Sequence, residues 1–114
     1  MKPTVVLLAA FLLAGCGSSA AKQAEALQSL AAEGALMAHD AGEGDEWKPY
    51  RSAHADELAR QASSLRSTAK TVQLSRAAGL VARDLQRLEH ADPRQARLIE
   101  KRLTRVAKLL GQLE

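Results

Sequence analysis

The chain has 114 residues, a formal net charge of +3, one cysteine and three aromatic residues, so it is one small domain. A single cysteine excludes a disulfide framework within the chain and any metal site built from several thiolates. With so few aromatics the core falls to alanine and leucine, and so thin a core supplies little net stability, which makes partner contacts or self-association consequential.

The first element is a short apolar one. Lys2 precedes the apolar run Val5 to Leu13, which passes into Leu13-Ala14-Gly15-Cys16. The run is far shorter than the ~20 residues that span a bilayer as a helix. A positive start, a short apolar centre and small residues at a cut site are the marks of an export signal. Together with the cysteine, the stretch resembles the lipobox of bacterial lipoproteins, over residues 1–17. The resemblance implies a cut between Gly15 and Cys16, a diacylglyceryl group on the Cys16 thiol and acylation of the freed amine. A thiolate is the strong nucleophile such a transfer needs. Two or more acyl chains, at about 0.8 kcal/mol per buried methylene, make a stable anchor. Residues 1–15 are then a signal peptide, 16–19 the lipidated cysteine and a flexible tether, and 20–114 the folded domain. Gly17, where aspartate would mark inner-membrane retention, implies an outer-membrane lipoprotein facing the periplasm if the cell is Gram-negative. Taken without the resemblance, the same residues make a plain secretory segment with an incidental cysteine, or a short buried helix.

From Ala20 the chain is rich in strong helix formers. Leu27, Leu30, Gly34, Met37 and Ala41 recur at helical spacing, widened by Ala31 and Ala38, which predicts a first helix over 19–41. Gly34 inside it either weakens the helix or admits a close neighbour. Gly42-Glu43-Gly44-Asp45 predicts a loop. Ser52 is a candidate N-cap for the next helix, with Pro49 as an alternative first residue. Leu58, Ala62, Leu65, Ala69 and Val72 form one seam, and Leu74, Ala78, Val81, Leu85 and Leu88 form another, out of phase with it by two residues. The phase break predicts a turn at 70–73, with Thr71 capping a third helix. The alternative is one long helix over about 52–90, nearly 60 Å at 1.5 Å per residue, with little to pack against. Asp92-Pro93 is a strong helix start, and Ile99, Leu103, Val106, Leu110 and Leu113 make the last seam. No segment alternates with period two. The expected fold is all-α, a small antiparallel up-down bundle of four helices, or of three if the long helix forms.

Charge divides the chain. Residues 17–57 hold eight acids and three bases, and residues 58–114 hold twelve bases and five acids. Attraction between an acidic and a basic half is the simplest expectation.

No reaction signature is present: no Gly-rich phosphate loop, no HExxH and no Glu-x-x-His pair. The chain is therefore expected not to be an enzyme and to need no cofactor beyond the lipid on Cys16. Three groups of residues remain. His39, His54 and His90 come to one distal tip if the turn at 70–73 forms, where with nearby carboxylates they are a candidate metal site or pH-sensitive patch; the simpler view is that polar residues gather at wet loops. Trp47 and Tyr50 are either loop anchors for a partner or, more simply, a plug for the end of the bundle. Arg94, Arg97, Lys101, Arg105 and Lys108 share a face of the last helix, away from its seam. That stripe is either solvated and paired with acids of the first helix or a surface for anionic lipid, a wall polymer or an acidic partner. Nucleic acid is not expected for an exported protein. The expected function is that of a lipid-anchored envelope protein with a binding or scaffolding role. A metal-ion- or pH-responsive protein using the histidine tip is the second expectation.

Overall fold

Ser19 opens the fold: its hydroxyl accepts the Lys22 N–H at 3.2 Å and caps helix α1, Ala20–Glu43. The computed structural model describes residues 19–44 and 48–114. The expected signal segment, Gly15 and Cys16 included, and Trp47 lie outside the described residues. Helix α1 ends two residues later than the sequence predicts. Gly42 stays helical, and Gly44 takes the left-handed conformation, φ 78°, that a residue with a Cβ resists.

Helix α2 spans Lys48–Thr68, α3 Val72–Leu88 and α4 Pro93–Gly111. Pro49 lies in the first turn of α2, where it has no partner to lose, so Ser52 is inside the helix rather than its cap. The turn before α3 is present, and the long-helix alternative is not what forms. Thr71 caps α3 by accepting the Leu74 N–H at 3.1 Å. Asp92 caps α4 with Pro93 behind it, and Gln95 returns a bond to the Asp92 N–H at 3.0 Å, a complete capping box.

Cross-chain contacts set the topology. Gln28 on α1 donates to the Ala107 carbonyl at 3.1 Å, His39 lies 3.1 Å from Glu100, and Arg97 donates to the Gly42 carbonyl at 3.1 Å. Rising numbers on α1 meet falling numbers on α4, so the two are antiparallel neighbours. Helices α2 and α3 form the second close antiparallel pair. The result is the expected four-helix up-down bundle. The predicted seams of α1 and α3 are buried throughout. Two ends of seams are not. Val72 begins a helix and Leu113 lies beyond one, and both stand exposed.

Gly34 is where the two pairs of helices meet. A Cβ built there would stand 2.6 Å from Leu85 Cδ2 and 3.0 Å from Leu103 Cδ1. The glycine therefore serves close approach, bringing α3 and α4 together against α1. The turn at 69–71 holds no glycine or proline. Gln23, buried on α1, secures it instead: its amide donates to the Thr68 carbonyl at 2.7 Å, and its oxygen accepts the Lys70 N–H at 2.8 Å. One side chain thus satisfies both an orphan carbonyl at the end of α2 and a turn amide.

Two outcomes follow for chemical denaturation. Gly34→Ala gains about 1 kcal/mol of helix propensity but overpacks a closed contact at about 1–3 kcal/mol, so it lowers stability by about 1 kcal/mol. Gly79→Ala, whose nearest neighbour atom would be 3.6 Å away, raises stability by about 0.5–1 kcal/mol; the same sign at both positions contradicts the packing. Gln23→Leu keeps the bulk but orphans two backbone groups, and destabilises by about 1–3 kcal/mol. An unchanged unfolding midpoint for Gln23→Leu would show that the turn does not depend on the clamp.

Candidate functional site

The three histidines have different neighbours. His39 is held on the α1–α4 side by Glu100 at 3.1 Å, with Glu43 of its own helix at 3.9 Å. His54 reaches Glu33 at 3.4 Å between α2 and α1, and its ring stacks on Tyr50 with centroids 5.5 Å apart. His90, beside the α3–α4 turn, borders two shallow clefts. Among the described residues no three His, Cys, Asp or Glu side chains are placed to hold a metal ion. Folding brings the three histidines to the same half of the bundle but gives each a different neighbour.

Tyr50 is exposed, so it does not plug the bundle. The distal end is closed by Ala41, Ala91 and Arg51, the last only 4% exposed. The Arg51 Nε is buried without a hydrogen-bond partner among the described residues. Arg51 borders a cleft shared with Pro49, Ser52, His90 and Pro93.

The basic stripe of α4 is present but smaller than its spacing predicts. Arg97 turns away from it to cap the C-terminal carbonyls of α1 through Gly42, a favourable place for a cation. Arg94, Lys101, Arg105 and Lys108 are exposed. The expected pairing with the acidic half does not form among the described residues. Among the described residues no ion pair joins a carboxylate of α1 or α2 to an arginine or lysine of α3 or α4. Among the described residues the one lysine or arginine ion pair between helices runs within the basic half. There Arg102 grips Asp84 with two nitrogens, Nε at 3.1 and 3.2 Å and a terminal nitrogen at 2.9 Å. Asp84 is nearly buried, 6% exposed, on the flank of the α3 seam. Its hydrogen bond raises the Arg102 pKa above an already high ordinary value, against a smaller opposing effect of burial. A raised cation pKa contributes stability fully below its unfolded value and loses it only as pH climbs past the folded one. The Arg102 side of this pair therefore holds at every pH used for proteins.

Asp84 and Arg102 were not among the candidates that spacing offered. They pin α3 to α4 and so fix how the exposed cations of the two helices align. No protein-family model matches this chain, and no curated protein and no solved structure is similar to it. Among the described residues no helix is long and apolar enough to cross a membrane.

Removing Arg102 leaves a nearly buried carboxylate without its fork. In a double-mutant cycle with Arg102→Met and Asp84→Leu, the single Arg102 change costs more than the double, since an apolar pair restores what a lone charge forfeits. Additive losses in urea titrations would show that the two side chains do not act together.

Proposed function

We propose that the chain is a lipid-anchored bacterial envelope protein whose helical domain is a non-enzymatic binding or scaffolding module held at the membrane surface. The observation that carries this reading is the stretch Lys2 to Cys16: a charge, a short apolar run, and Leu-Ala-Gly ahead of the single cysteine. Its length suits export rather than spanning. The start of α1 supports it. Ser19 caps the first helix, so only Gly17 and Ser18 separate Cys16 from the fold, a reach on the order of 10 Å at full extension. A lipid on Cys16 would therefore hold the bundle against the bilayer, with the start of α1 and the 69–71 turn at the near end.

The test is fractionation with acyl labelling. The full chain should take up labelled palmitate and stay in the membrane pellet through a high-salt wash. Cys16→Ser should take up none and leave the washed pellet for the soluble fraction. Salt-resistant membrane recovery of Cys16→Ser at the wild-type level overturns the anchor.

A further inference from the structure

One side of the molecule combines two features that the anchor does not require. On α3, Leu80, Arg83 and Arg87 follow one another at spacings of 3 and 4, away from the buried Leu74–Leu88 seam. On α4, Leu98, Lys101 and Arg105 repeat the pattern on the outside of the Ile99–Leu110 seam. The Asp84–Arg102 fork sets these rows at the same level, and Arg87 and Leu98 line one cleft. Leu80 and Leu98 are 53% and 52% exposed. None of the four cations has an ion-pair partner among the described residues. Asp84, the carboxylate between the rows, is already taken by Arg102. The exposed acids Glu25, Glu33, Asp40, Glu43 and Glu57 belong to α1 and α2, and the exposed acids Asp92 and Glu114 stand at the two ends of α4, outside the rows.

We propose that this α3–α4 side is a docking surface for anionic lipid, on which the bundle lies with its cations among the phosphates. The leucines decide between anionic partners. A wall polymer or a nucleic acid offers the cations counter-charge but gives isolated leucines nothing to enter, and no aromatic ring stands among them for stacking. A headgroup layer accepts both: arginine and lysine stems lie along apolar surface with the charge in the polar zone, and leucines enter the acyl boundary. Leucines separated by charges do not make the continuous apolar patch of a protein interface. Each basic residue near an anionic surface adds attraction that falls off within a Debye length. How the bundle reaches a membrane rests on the anchored reading; the surface itself does not.

The experiment uses the full chain, as a bacterial host exports it, on vesicles of phosphatidylcholine, with and without phosphatidylglycerol, and an environment-sensitive dye on Leu98→Cys or Glu57→Cys. The dye at 98 should shift to the blue on anionic vesicles only. The shift should shrink in high salt and in the Arg83→Glu/Lys101→Glu background, while the dye at 57 stays unchanged. Equal emission on both lipids, or an equal shift at 57, overturns the proposal. So does a shift without lipid that grows with protein concentration, which would make a second copy of the chain the occupant. Flotation separates the surface from the anchor. Loss of binding to neutral vesicles alone overturns the anchor but keeps the surface, and loss on both kinds of vesicle overturns both.

Discussion

The crossing at Gly34 is the contact on which the rest of the bundle depends. Two close antiparallel pairs, α1 with α4 and α2 with α3, must be joined into one core, and the side chains available are mostly alanine and leucine. Small side chains give little apolar area, so they stabilise only if the helices come close enough for dense packing. A bare backbone at Gly34 lets Leu85 from α3 and Leu103 from α4 close on α1 at one point. Both leucines are fully buried there. Helix propensity is given up at that position, and tertiary packing is what replaces it.

Polar side chains complete what this thin core leaves open. Gln23 ties α1 to the turn between α2 and α3, Gln28 ties it to α4, and Asp84 with Arg102 ties α3 to α4. The glutamine clamp and the Asp84–Arg102 fork each cross between the two close pairs, where helices meet over little surface. Such bonds add modestly when made and cost heavily when half made, so they act mainly to select one arrangement of interchangeable alanine-rich faces. Among the described residues the outer cations of α3 and α4 stay without acidic partners. Most of the exposed acids are carried on α1 and α2.

Helix number and order were legible because the seams repeat at 3 and 4 residues, and the starts of α3 and α4 because Thr71 and Asp92-Pro93 are capping chemistry. The turn at 69–71 was legible only as a change of phase, since its stabilising group lies 45 residues or more away in Gln23. That group was within reach of the pattern: one step back from Leu27 the α1 seam arrives at Gln23, and two steps back from Leu58 the α2 seam passes Ala55 and arrives at Arg51. Both residues are buried, but polarity disguised them as surface. Seams also overran their helices, at Val72 and Leu113, because periodicity carries no information on where a helix stops. The neighbours of the histidines were not legible, for a different reason. Sharing an end of a bundle fixes height but not azimuth, and His39 and His54 turn to carboxylates on different sides.

The Gln23 clamp has a mechanical side. The chain enters the fold at Ser19, and Gln23 lies one helical turn further on. The first turn of α1 is therefore joined across the core to the hairpin of α2 and α3 before α1 has made most of its own contacts. Tension arriving through residue 19 cannot peel α1 from its start, turn by turn. The pair of hydrogen bonds to the hairpin must break first, so a pull along the tether is shared between both halves of the bundle from the outset. An end that would ordinarily fray becomes the point where the two halves resist together.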